Sequence, residues 1–471
     1  MPHLAVIGAG ITGVTTAYAL LKRGHDVTVI DRHRYAAMDT SFANGGQLSA
    51  SNAEVWNSAA TMLKGLRWMF RNDAPLLMNP SPSWHKYSWL AEFARATTNY
   101  RDNTITTARL AIAARQHLFA MAEQENIAFD LEKRGILHIY HDKANFEAGL
   151  RVNALLTEGG LDRRAVTPDE IRSIEPALQR SYHGGFYTPS DSTGDIHKFT
   201  RGLAKACIRH GARFIHQAEV EAISTDGSAF DINWRGSMAD GATMPQQLRV
   251  DGIVVCAGVG SRHIAAQLGD RINVYPVKGY SITVHLDDAP SRSAAPYVSL
   301  LDETAKIVTS RLGADRFRVA GTAEFNGFNR DIRADRIRPL TDWVERNFPA
   351  VETARVTPWA GLRPMMPDMM PVVRGGTRAG VFYNTGHGHL GWTLSAATAE
   401  ATALAIDAWR PAGRRQTPFA ARSGAKLSTA SEPWAPALAP LPGLAHNLPA
   451  GADKPLSTPV TTAEERSERR A

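Results

Sequence analysis

The chain has 471 residues, 44% of them hydrophobic and 21% charged; that balance suits a globular protein long enough for two domains with large cores. No uninterrupted apolar run reaches bilayer-spanning length, so no transmembrane segment is expected. The net charge of +7 comes from dispersed arginines. There is no basic block and no short aromatic-basic signature of a nucleic-acid module, so no nucleic-acid partner is expected.

The run His3-Leu4-Ala5-Val6-Ile7 predicts a strand at the start of the chain, leaving no room for a secretory leader and predicting a cytoplasmic location. Gly8-Ala9-Gly10-Ile11-Thr12-Gly13 follows, and then a helical run from Val14 to Arg23. In such a segment the first glycine permits a tight turn and the second admits a pyrophosphate against the backbone. The third lets helix and strand pack closely, and the helix N-terminus adds positive dipole. Gly24-His25 ends the helix, Asp26–Ile30 reads as a second strand, and Asp31 closes it with a carboxylate suited to ribose hydroxyls. Arg32 and Arg34 stand close by, so charge alone does not exclude a 2′-phosphate. The cofactor candidates of this unit are Val6, Ile7, the segment from Gly8 to Gly13, Asp31 and Arg32.

Nicotinamide and flavin dinucleotides share this first unit, and the other glycine-rich segments decide between them. Ser41-Phe42-Ala43-Asn44-Gly45-Gly46-Gln47 contributes Ser41, Asn44, Gly45, Gly46 and Gln47; Val254 to Gly258 contributes Ala257 and Gly258. The segment from Asn384 contributes Gly386, His387, Gly388, His389, Leu390, Gly391, Trp392 and Thr393, and Gly361 joins the set. Backbone without Cβ atoms lies flat against a ring. A helix from Trp392 to Trp409 aims its first amides at the flavin edge that gathers negative charge on reduction. Together these segments favour FAD.

Between them, strand-like runs (Phe214–His216, Ala229–Trp234, Gly252–Cys256) alternate with helical stretches (Thr107–Glu125, His197–His210), which predicts an α/β fold. Cys207 and Cys256 read as buried thiols, and no spacing of His387, His389 or the cysteines suggests a metal site. Met62, Leu63, Leu66, Met69 and Phe70 share one helical face opposite Lys64, Arg67 and Arg71, a pattern that fits a domain core or a membrane surface. From Pro411 to Ala471 few large apolar residues occur, and a disordered tail is expected.

The chain resembles the small subunit of bacterial D-amino-acid dehydrogenases, within the wider family of D-amino-acid and glycine oxidases. Beyond Gly8–Gly13, the resemblance is carried by Thr40-Ser41-Phe42-Ala43-Asn44, Trp68-Met69-Phe70, Thr193-Gly194-Asp195 and Tyr275-Pro276-Val277-Lys278-Gly279-Tyr280-Ser281. It continues in Leu301-Asp302-Glu303-Thr304, Gly361-Leu362-Arg363-Pro364-Met365 and Asn384–Thr393, covering the chain to about Arg410. It implies a doubly wound, Rossmann-like FAD domain interrupted by a substrate domain whose antiparallel sheet roofs the flavin ring. The corresponding boundaries are 1–83, 185–261 and 355–410 for the FAD domain, and 84–184 and 262–354 for the substrate domain. It also implies a D-amino acid substrate, an electron acceptor such as a quinone, peripheral association with the cytoplasmic face of the inner membrane and a partner subunit.

Arg363 is the candidate for the substrate carboxylate, because a guanidinium holds a carboxylate through two parallel charge-assisted bonds. Tyr280, on a predicted strand from Val277 to Thr283, is a second candidate, for hydrogen bonding the carboxylate or covering the site. Lys278 reads either as approaching the flavin or as solvated. No side-chain base is nameable. The sequence departs from the family pattern at His389, where threonine is usual, at Gly46, where alanine is usual, and at the second and later methionines of Met365-Met366-Pro367-Asp368-Met369-Met370, where small or polar residues are usual. If these methionines face the pocket, they suit a larger apolar substrate; if they face the core, the departure means little.

Overall fold

The computed structural model describes residues 1–58, 62, 76–237 and 243–409. The tail from 411, and all of the Met62–Phe70 segment except Met62, lie outside the described residues.

The strand His3–Ile7 lies inside a six-stranded sheet. The order is Val372–Gly375, Val381–Thr385, Gly252–Val255, His3–Ile7, Asp26–Ile30, Arg213–Ile215, all parallel except the antiparallel edge strand Val372–Gly375. Alternation along His3–Ile7 explains how both faces are covered. Leu4 and Val6 pack on one side with Val14, Phe199, Leu203 and Ala399, from the helices Ile11–Lys22, Ile196–Arg209 and Gly391–Ala408. Ala5 and Ile7 pack on the other with Phe230, Ile232 and Trp234 from a three-stranded antiparallel sheet, and with Ile264 and Ala265 from the helix Ser261–Gln267. Cys207 and Cys256 are both buried free thiols.

The second sheet has nine strands and is mostly antiparallel, with Tyr275–His285 paired between Val356–Met365 and Arg316–Phe325. The helix Ala334–Asn347 covers its far face through Leu340, Trp343 and Val344. The strand Val356–Met365 is hydrogen-bonded along its whole length to Tyr275–His285. It therefore belongs to this sheet, not to the parallel sheet implied by a 355–410 segment. Leu76–Met78 joins the same sheet through Arg316–Phe325, and Gly184–Thr188 through Ile136–Tyr140. The helix Tyr100–Gln124, expected with the substrate domain, instead sends Leu118, Met121 and Ala122 into the core beneath the parallel sheet.

Candidate active site

A continuous cavity of about 1240 Å³ runs from the end of the first βαβ unit to the strand that carries Arg363. It exceeds the usual range for a single small ligand. At its nucleotide end Gly8 has φ +110°, and a Cβ there would lie 2.5 Å from the Cys256 carbonyl oxygen. A Cβ on Gly13 would lie 1.8 Å from the Gly8 carbonyl oxygen, whereas one on Gly10 meets nothing closer than Ser41 Oγ at 3.4 Å. Two of the glycines thus serve the chain's own packing, and Gly10 keeps the cavity wall bare. The helix Ile11–Lys22 begins at Gly10 without a side-chain cap; its first-turn amides offer the anion site that a pyrophosphate needs. Ile11 N–H donates to Ser41 Oγ at 3.0 Å, which ties the Ser41 loop to this turn.

Asp31 accepts from the Ala9 and His33 amides at 2.6 and 2.7 Å and lines the cavity, leaving lone pairs for a ribose. Arg32 lines it too, but donates to Asp39 at 2.6 Å. Ile7, Ile11 and Thr12 line the wall beside them. Val6, Ala9 and Gly13 do not: Val6 and Ala9 are wholly buried in the core, and Gly13 sits against Gly8.

The middle of the cavity is built by the other glycine-rich segments. Asn44 Oδ1 accepts from the Gly46 amide at 2.9 Å, and Gln47 donates to Ser299 Oγ at 2.7 Å. A Cβ on Gly45 would meet Val308 at 2.8 Å and one on Gly46 would meet Ser310 at 2.9 Å. Those glycines are therefore required by the neighbouring sheet. Ala257 and Gly258 line the cavity, and Gly258 has open space beside it. Gly386 and Gly388 have φ of +76° and +59°, and their Cβ positions are occupied by Met366 and Met365. The helix Gly391–Ala408 then starts uncapped, with no acidic residue in its first turn. Leu390, Gly391, Trp392 and Thr393 all line the wall. Trp392 Nε1 is buried without a hydrogen-bond partner among the described residues, although the ring packs in the core beside Phe129.

Both histidines here are neutral. Burial pushes His387 down to about 3 and His389 to about 4. His387 Nε2 shares a hydrogen bond of 2.9 Å with Thr398 Oγ1. His389 Nε2 donates to the Asn52 carbonyl at 3.2 Å while its ring stacks on Trp56.

At the far end, register places Gly361 opposite Gly279 and Arg363 opposite Val277. The guanidinium lies across Gly279, where a Cβ would fall 2.3 Å from Arg363 Cζ, and Trp359 folds over Gly361 in the same way at 2.1 Å. Arg363 Nη1 donates to the Thr322 carbonyl at 3.1 Å, and no carboxylate of the described residues pairs with it. Burial pushes it down to about 10, so it is charged at neutral pH. Thr322 itself has φ +58°, rare for a β-branched residue and a sign of strain near a functional site. Gly279→Ala is therefore expected to displace the guanidinium and lower kcat/KM by about 10²-fold. Flavin content of the purified protein should stay unchanged.

Tyr280 borders the cavity, its ring packs with Ile282, Val284 and Leu340, and its hydroxyl donates to Glu324 at 2.5 Å. Lys278 is neither at the flavin nor solvated: it is fully buried, 3.4 Å from Glu324 and 2.7 Å from Asn329 Oδ1. Met365 and Met369 pack with Trp89, Tyr275 and Val277, and none of the four methionines lines the cavity. Met366 is partly buried behind Gly386, so these side chains stand behind the wall and do not form it.

Sequence reading missed a polar group on another wall: Ser51, Glu54, Tyr100, His138 and Glu303 all line the cavity. They come from segments up to 252 positions apart, and only Glu303 sat in a motif already singled out.

The profile of the FAD dependent oxidoreductase family matches residues 3–405. D-amino acid dehydrogenase 3 of Mesorhizobium japonicum is 65% identical over 409 residues, spanning 86% of this chain and 98% of that protein. The D-amino acid dehydrogenase of Paramagnetospirillum magneticum is 40% identical, spanning 83% and 92%. In fold, the chain matches glycine oxidase from Geobacillus kaustophilus with a TM-score of 0.67 at 19% identity, covering 88% of this chain and 96% of that one. The cradle of Gly8, Gly10 and Gly13 and the two uncapped helix starts fit FAD. The chain belongs to the family of FAD-dependent oxidoreductases.

Proposed function

We propose that the protein is an FAD-dependent dehydrogenase that deaminates D-amino acids to 2-oxo acids and ammonia. The observation that carries this reading is the cationic Arg363 at the end of the cofactor cavity, free of any carboxylate among the described residues. The 65% identity to D-amino acid dehydrogenase 3 supports the substrate class.

Arg363 holds the substrate carboxylate through a two-pronged ion pair, and Gly279 and Trp359 fix where that pair sits. Clamping one end of a small substrate leaves its α-carbon little freedom, and this orientation supplies much of the rate. FAD, when bound, accepts the hydride that leaves the α-carbon. The released imino acid is hydrolysed by water.

Electrons leave for an acceptor that this reading takes to be a quinone, as the word dehydrogenase in the relatives' names suggests. No helix among the described residues is long and apolar enough to cross a membrane. We further propose peripheral attachment to the cytoplasmic face of the inner membrane and a partner subunit, the first supported by the apolar and basic faces of the Met62–Phe70 sequence. Anaerobic bleaching of the yellow protein by D- but not L-amino acids is the expected result. Bound flavin that no amino acid bleaches would sink the activity, and oxygen consumption compared with quinone reduction tests the acceptor.

A further inference from the structure

The proposed activity needs a neutral substrate amine, yet amino acids arrive as ammonium ions at neutral pH. Among the described residues, one set of cavity-lining side chains forms a hydrogen-bonded chain that ends at the exposed Lys306. Ser51 Oγ lies 3.0 Å from His138 Nε2, His138 Nδ1 lies 3.1 Å from Glu303 Oε1, and Glu303 Oε2 lies 2.5 Å from Lys306 Nζ. Ser51 and His138 are buried, and the side chains of Glu303 and Lys306 are 19% and 49% exposed.

The Glu303 end of the chain can be assigned from chemistry. A carboxylate only accepts, so neutral His138 carries its proton on Nδ1 and presents a bare Nε2 to Ser51. Ser51 Oγ keeps lone pairs for another donor. Its amide donates to Asp191 at 3.0 Å and its hydroxyl faces the same carboxylate, which pairs with Arg115, so the hydroxyl proton has two acceptors, Asp191 and His138. Asn52, the next residue, accepts at 3.2 Å from His389, two residues after His387, which pairs with Met365 on the strand that carries Arg363. The Ser51 loop therefore stands on the Arg363 side of the cavity.

We propose that Ser51, His138 and Glu303 are a proton relay that carries the proton of the substrate α-ammonium to solvent beside Lys306. The inference rests on the proposed function. The α-ammonium gives one proton to Ser51 Oγ as Ser51 gives its own to His138 Nε2, leaving a neutral amine and an imidazolium. The imidazolium then releases one proton through the Glu303 carboxylate to solvent; no electrons change hands in these transfers.

The groups facing His138 are Glu303, Lys306 and Arg163, with Tyr140 and Glu54 beyond Glu303. Burial, and then Arg163, push its imidazole down to about 4, so it rests neutral and does not hold the proton. Burial opposes ionisation of Glu303, but Lys306 and His138 outweigh it and keep the carboxylate charged. A relay of this kind speeds transfer without being a proton store.

The experiment is anaerobic stopped-flow reduction of the flavin at saturating D-amino acid, for wild type, Ser51→Ala, His138→Asn and Glu303→Gln, from about pH 6.5 to about pH 9.5. The expected result is a reduction rate at least about 30-fold below wild type at the acid end that recovers towards wild type at the alkaline end, where free amine enters directly. Titration with an amine-free carboxylic acid, read from the flavin absorbance, should be unchanged and shows that each variant is folded. Variants that lose rate equally at every pH, or lose none, overturn the relay. Should His138→Asn fail to hold flavin, Ser51→Ala and Glu303→Gln decide. A wild type that no amino acid bleaches overturns the proposed activity and the relay together.

Discussion

Arg363→Ala is expected to lower kcat/KM for D-amino acids by about 10² to 10³-fold while leaving the flavin bound. Removing one partner of a desolvated charge pair costs roughly 2–5 kcal/mol, and each 1.4 kcal/mol is about tenfold in rate. Most of the loss should fall on substrate binding, with part on the reduction rate constant, because an unclamped substrate presents its α-carbon poorly. Arg363→Lys should recover little: an ammonium makes a point contact where the guanidinium makes two parallel bonds, and its shorter reach leaves the space over Gly279 unfilled. Steady-state kinetics and anaerobic titration measure both effects. An Arg363→Ala variant with unaltered kcat/KM would remove the carboxylate clamp from the mechanism.

The same residue shows how far the sequence could be read. Arg363 stood out because a guanidinium suits a carboxylate, and in the structure Gly361 makes room beside it for Trp359. What could not be read was its other support, Gly279, because pairing register between Tyr275–His285 and Val356–Met365 is a tertiary property. The burial of Lys278 and the Glu324 partner of Tyr280 could not be read for a related reason. Every residue of Tyr275–His285 except the last is buried, so no polar-apolar alternation marks which face meets the cavity. The βαβ start was legible because its glycines obey local geometry. The chain Ser51, His138, Glu303 was not, since a lone histidine in an apolar strand is ordinarily a satisfied core residue and its partners lie 87 and 165 positions away.

The glycines of the first turn separate two demands that their motif merges. Gly13→Ala is expected to damage the protein itself, because its Cβ would lie 1.8 Å from the Gly8 carbonyl oxygen and backbone on both sides resists moving. A loss of about 3 kcal/mol or more in stability is expected, seen as a lower Tm of the flavin-free protein or as insolubility. Gly10→Ala should behave in the opposite way. Its Cβ has 3.4 Å to Ser41 Oγ, so the flavin-free protein keeps its Tm, while the methyl group enters the space a pyrophosphate needs beside the uncapped helix start. Flavin affinity should fall at least about tenfold, measured by fluorescence on titrating FAD into the apoprotein. If Gly10→Ala instead bound FAD as tightly as wild type, the cofactor would approach this helix elsewhere than at Gly10. A Gly13→Ala protein with normal Tm would show that the strand and helix can part here without penalty.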